Sequence, residues 1–150
     1  MRDILMLLAI LSLFACKNKD ENKKDFVLDV QGTWQLVSAT TLENGTSQTT
    51  DYSGKLKMIK LFNHTHFAFL KHSHDPKDSS SFDAGGGTFS LNGNDYIETL
   101  EYYKDKDWEG KTFKFKLAIQ NDTLVQKGIE KVEKAGVDRV IIEKYIKIQK

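Results

Sequence analysis

Four histidines fall within eleven residues, as His64-Thr65-His66 and His72-Ser73-His74. A His-x-His spacing can set two imidazoles on one side of an extended strand, the first requirement of a metal site. Residues 66–72 read as a continuous strand, and at 3.3 Å per residue the two pairs then lie about 20 Å apart. They cannot share an ion. Asp75 and Asp78 are the nearest further ligands, beside the second pair only. The simpler account makes them polar residues at the two ends of a strand, so no metal is expected. Glu98 and Glu101 are two carboxylates of the kind glycoside chemistry uses, but i and i+3 on a strand face opposite sides and cannot flank one bond. Gly85-Gly86-Gly87 has no lysine after it and no helix start, which makes it a strand bend or bulge and not a phosphate loop. No Ser/His/Asp arrangement stands out from local spacing. Neither catalysis nor a cofactor is expected.

The remaining chemical residue is Cys16, the single cysteine. One cysteine forms no internal disulfide and no cysteine-based metal site. It follows an apolar run, Ile4 to Phe14, which as a helix spans about 16 Å, half a bilayer core. That length fits the apolar region of a signal peptide and not a transmembrane helix. Leu13-Phe14-Ala15-Cys16 resembles the bacterial lipobox, although Phe14 is bulkier than the usual occupant of its position. Residues 1–15 are accordingly expected to be a lipoprotein signal peptide, with Cys16 lipidated and anchoring the chain to the membrane. Residues 17–25 carry no apolar side chain and read as a solvated tether within a 16–29 spacer. Lys19-Asp20-Glu21 is open to two readings: a plain spacer, or a short signal for the outer face of the outer membrane.

The elements that position everything else read as strands. Thr112 to Ile119 alternates polar and apolar cleanly, as a half-buried strand does. Less regular runs occur at 33–41, 56–62, 66–72, 86–91, 95–103, 123–127 and 139–148. Residues 129–135 could form a helical turn, bracketed by Gly128 and Gly136. About eight antiparallel strands in a single domain, residues 30–150, predict an up-and-down barrel, which removes exposed edges. Turns are expected at Asn63-His64, Asn92-Gly93 and Asn121-Asp122. The first of the last two pairs Phe89 with Tyr96 and Gly87 with Glu98; the second pairs Leu117 with Gln126.

Those hairpins define inward faces. One carries Phe89, Leu91, Tyr96, Glu98, Leu100 and Tyr102; the other carries Phe113, Phe115, Leu117, Ile119, Leu124 and Gln126. A carboxylate inside an apolar barrel costs several kcal/mol unless it is paired, hydrated or bound to something. Glu98 and Gln126 are therefore the sharpest site candidates. A lysine, a tyrosine or a buried water would satisfy Glu98 equally well. With 22 Lys+Arg against 21 Asp+Glu the formal net charge is +1, which removes the broad basic field that nucleic-acid binding needs.

The body opens Gly32-Thr33-Trp34-Gln35-Leu36-Val37, similar to the glycine–x–tryptophan start of lipocalins, whose indole closes the barrel floor. Further along come Ile59-Lys60-Leu61, Thr65-His66-Phe67, Gly85-Gly86-Gly87-Thr88-Phe89 and Leu91-Asn92-Gly93. Tyr96, Glu98, Glu101 and Tyr102 follow, then Gln126 and Gly128. In that order they resemble the lipocalin-like lipoproteins of Bacteroidota, a calycin-type family mostly without assigned function. The resemblance covers roughly residues 30–150 and implies a small β-barrel without implying a ligand. It also falls on His66, which it would set at the barrel mouth or wall. Lipocalins commonly stack an arginine near the chain end on the tryptophan. Here the last strand offers Lys147, whose cation–π contact would be worth about 0.5–2 kcal/mol.

The resulting expectation is a monomeric, outer-membrane-anchored barrel holding a small hydrophobic or amphipathic molecule. Its apolar walls, with Phe89, Phe113 and Phe115 among them, would supply affinity. Glu98, Gln126, Tyr96 or Tyr102, and His66 would orient the ligand. The alternative is a non-enzymatic surface protein whose barrel is filled by its own aromatics and whose loops bind a glycan or protein. The discriminating quantity is the cavity.

Overall fold

The computed structural model describes residues 28–149. Cys16, the apolar run before it and the charged segment after it lie outside the described residues. Nine strands form among the described residues: β1 (Gly32–Glu43), β2 (Thr46–Asp51), β3 (Leu56–Phe62), β4 (His66–Ser73), β5 (Asp83–Asn92), β6 (Asp95–Tyr103), β7 (Thr112–Gln120), β8 (Thr123–Val132) and β9 (Val137–Lys147). From β3 to β9 each strand pairs antiparallel with the next, and β1 closes the ring by pairing with both β3 and β9. The barrel is thus eight-stranded, a size whose interior is just filled by side chains or holds one small ligand. The ninth strand, β2, pairs with the far half of β1, Ser38 to Glu43, on the edge that β3 leaves after Gln35. Its sequence, TSQTTD, has no apolar residue and is almost wholly exposed, so alternation could not reveal it. The turn before it could: Asn44 and Gly45 both take left-handed φ, 50° and 76°, as a favoured two-residue hairpin turn requires.

The β7–β8 register agrees with the sequence reading, with Ile119 opposite Leu124 and Leu117 opposite Gln126. The β5–β6 register is shifted from it. Asn92 pairs with Asp95, which sets Leu91 opposite Tyr96, Phe89 opposite Glu98, and Gly87 opposite Leu100. The two turn residues are Gly93 and Asn94, and only Gly93 has a left-handed φ, 58°. A turn with that residue first takes glycine at its first central position, moving the loop one residue on from Asn92-Gly93. The 129–135 stretch is also mostly strand: β8 runs through Val132 and only Glu133–Ala135 make a 3-10 turn.

The barrel has two unlike ends. The floor end holds the short turns near residues 63–65, 93–94 and 121–122, together with residues 28–31 and the end of β9. There Trp34, Leu36, Tyr96, Leu117, Leu124 and Tyr145 are almost completely buried. Trp34 donates its indole N–H to the Val30 carbonyl at 2.7 Å. The Lys147 ammonium sits 5.2 Å from the centre of its ring, the position where the resemblance would have an arginine. Phe62, Phe89 and Tyr96 pack edge-on or tilted on one another, with centroids 5.4–5.9 Å apart. The mouth end carries the longer loops, 74–82 and 104–111, and is packed less fully.

Candidate functional site

Alternation along β3 points Leu56, Met58, Lys60 and Phe62 inward, so a lysine enters the barrel among aromatic rings. Lys60 is 3% exposed and donates to Glu98 Oε2 at 2.7 Å and to Gln126 Oε1 at 3.0 Å. Its Nζ also lies 4.9–5.4 Å from the ring centres of Phe62, Phe67 and Tyr96. Tyr96 donates its hydroxyl to the same Glu98 oxygen at 2.7 Å. Gln126 passes the network on, its Nε2 donating to Glu143 Oε2 at 3.1 Å, and Tyr145 donates to that oxygen at 2.8 Å. Six side chains from β3, β6, β8 and β9 thus satisfy one another across the barrel. Nearer the mouth Arg139 donates through Nε and a terminal nitrogen to Glu130 Oε2, both at 2.7 Å, and lies 6.0 Å from the Trp108 ring centre.

Between this network and the mouth is a cavity of about 180 Å³. Its apolar wall is Met58, Phe69, Leu100, Tyr103, Trp108 and Phe113, and its polar groups are Lys60, Glu98, Glu130, Arg139, Glu143 and Tyr145. The Arg139 side chain keeps 30% of its exposure, which marks the solvent side. Burial pushes the Glu143 carboxyl up to about 7, against the lowering pull of Lys60 and the Tyr145 hydrogen bond. Burial likewise raises Glu130, opposed by Arg139, and pushes the Tyr96 and Tyr145 hydroxyls well above the usual phenol range. These tyrosines are donors at every ordinary pH.

The structure brings together Glu98, Gln126, Tyr96 and Phe113. Glu98 and Phe113 line the cavity, while Tyr96 and Gln126 hold the carboxylates that do. Phe89 and Phe115 are floor residues packed on Tyr96, at centroid distances of 5.4 and 6.2 Å, and do not reach the cavity. Two further expectations need correction. Tyr102 is 67% exposed on the outer surface. Gly87 pairs with Leu100 and Gly86 with Tyr102, so Glu101 is an extra residue in β6. That bulge reverses the alternation and turns Tyr103 inward in place of Tyr102. Its hydroxyl donates to Asp83 at 3.1 Å. His66 is exposed at the start of β4, its Nδ1 2.7 Å from the Thr65 hydroxyl, and lines no part of the interior.

Lys60, Glu130, Arg139, Glu143, Tyr145, Tyr103 and Trp108 were not singled out from sequence. A signal existed for Glu130, because continuing the Leu124–Gln126 face by twos reaches Gly128, Glu130 and Val132. None existed for β9, where the outward set Val140, Ile142 and Ile146 is as apolar as the inward one. The histidine pairs stay at opposite ends of β4, and the His72 and His74 rings lie tilted against each other with centroids 5.3 Å apart. The chain matches no protein-family model, and no curated protein matches it significantly.

Proposed function

We propose that this chain is a lipid-anchored binding protein that holds one small amphipathic molecule in the mouth half of its barrel. The observation that carries the reading is the roughly 180 Å³ cavity above a solid floor, with an aromatic wall and a few convergent polar groups. The volume sets the size of the guest. A cavity of about 150 Å³ takes benzene, so this one suits a single ring or a short chain and not a long acyl chain. A barrel acting only through its loops would have no use for such a space.

The apolar run before Cys16 supports an acyl anchor on that residue, and the charged segment after it supports a tether. Lys19-Asp20-Glu21 fits either a plain spacer or a signal for the outer face of the outer membrane. The lipocalin-like order of motifs from Gly32 to Gly128 supports the same assignment.

Two measurements test the proposal. Labelled palmitate should be incorporated by the chain and lost in Cys16→Ser. Small molecules extracted from the purified protein should include one that co-purifies with wild type and not with Leu100→Trp, which fills the cavity. Retention of the same molecule by Leu100→Trp would place binding elsewhere and contradict the reading.

A further inference from the structure

Resting on the cavity as the ligand site, we infer that its guest is a small protonated amine with an apolar or aromatic body. The charges lining the cavity do not balance. Two cations, Lys60 and Arg139, meet three carboxylates, Glu98, Glu130 and Glu143. Each cation is already committed. Lys60 is 2.7 Å from Glu98 and its second hydrogen bond goes to Gln126. Arg139 spends two N–H groups on Glu130. Glu143 is left without a cation of its own. Its Oε2 accepts from Gln126 and Tyr145, and among the described residues no donor reaches Oε1.

The walls suit the same chemistry. Phe69, Tyr103, Trp108 and Phe113 form a continuous aromatic run, with successive centroids 6.0, 6.4 and 5.8 Å apart. Such faces attract an ammonium group and pack against a hydrocarbon body. An anionic guest would meet an extra carboxylate and two cations already paired. A neutral guest would leave Glu143 to be compensated by a proton. Burial raising the Glu143 carboxyl to about 7 agrees with a carboxylate that lacks its countercharge.

The test uses three probes of one shape and different charge. Benzylamine, benzyl alcohol and benzoate are titrated calorimetrically into the purified chain at pH 8, where the amine is protonated. Benzylamine should bind at least about tenfold more tightly than benzyl alcohol, the scale of one charge-assisted hydrogen bond, and benzoate most weakly. Glu143→Gln keeps the shape and the acceptor for Gln126. It should remove the preference for the amine while leaving benzyl alcohol within about twofold. Near-ultraviolet circular dichroism checks that the variant is folded. Benzyl alcohol or benzoate binding as well as the amine, or an unchanged preference in Glu143→Gln, would overturn the amine assignment and leave the cavity reading standing. Failure of all three probes to bind would overturn both.

Discussion

The Lys60 ammonium and the Glu98 carboxylate, 38 residues apart in sequence, meet at 2.7 Å in the centre of an aromatic barrel. Neither charge could be buried alone, since the desolvation penalty of each is several kcal/mol. What makes the pair tolerable is the rest of the network: the Tyr96 hydroxyl on Glu98 and the Gln126 amide on Lys60. Removing one partner and removing both should therefore differ sharply.

Lys60→Met strands Glu98 in the interior and should lower stability by about 3–5 kcal/mol in urea unfolding. The double variant Lys60→Met/Glu98→Leu removes both charges of this pair together and should recover most of that loss. Equal destabilisation by the single and double variants would mean the pair is not isolated from water.

The pH dependence has a definite sign. Glu143 titrates near 7 in the folded protein and near its ordinary 4.5 when unfolded, so between those values the folded state binds more protons. Stability should fall as pH rises through that window. Lys60 from β3, Tyr96 and Glu98 from β6, Gln126 and Glu130 from β8, Arg139 and Tyr145 from β9, and Tyr52 after β2 face this carboxyl or act on its charge. Glu130, also raised by burial, adds a slope of the same sign. Melting temperatures from pH 5 to pH 8 should decline in wild type and decline less in Glu143→Gln. Parallel profiles would show that Glu143 titrates normally.

At Gly87 a Cβ would run into the Thr99 carbonyl, because β5 and β6 approach closely at the bulge. Gly87→Ala should destabilise by about 1–3 kcal/mol, the usual cost of overpacking. Gly54, where a Cβ meets nothing within 4 Å, is the matched control, and Gly54→Ala should change the unfolding midpoint little.

Lys147→Ala removes the cation over Trp34 and should cost about 0.5–1 kcal/mol, while Lys147→Arg retains it. Trp34→Ala opens the floor itself and should cost about 3–5 kcal/mol. A Lys147→Ala variant as damaging as Trp34→Ala would mean that the lysine does more than cap the indole.

How far the sequence could be read depended on which physical signal each residue left. Alternation from Thr112 to Ile119 made β7 plain, and the Asn121-Asp122 turn fixed its partner, so the inward path of Gln126 was legible. Glu98 was legible for the same reason. Its partner was not, because Leu56-Lys57-Met58-Ile59-Lys60-Leu61-Phe62 places one lysine on each face and apolar residues on both. The bulge at Glu101 leaves no mark in composition, and it exchanges Tyr103 for Tyr102. Glu143 and Arg139 sit on a strand with two apolar faces, so their direction is decided by the closed barrel and not by local pattern. A buried network drawn from four strands is a tertiary fact.

The two tryptophans allow the most direct test of the central claim, that a small amphipathic guest occupies the mouth-end cavity. Trp108 lines it, and Trp34 is sealed under the floor at the opposite end. Titrating benzylamine into labelled protein should shift the Trp108 indole N–H and the Met58 methyl resonances saturably, and leave the Trp34 indole in place. Shifts confined to outer-surface residues, or saturable binding that leaves Trp108 and Met58 unmoved, would contradict it.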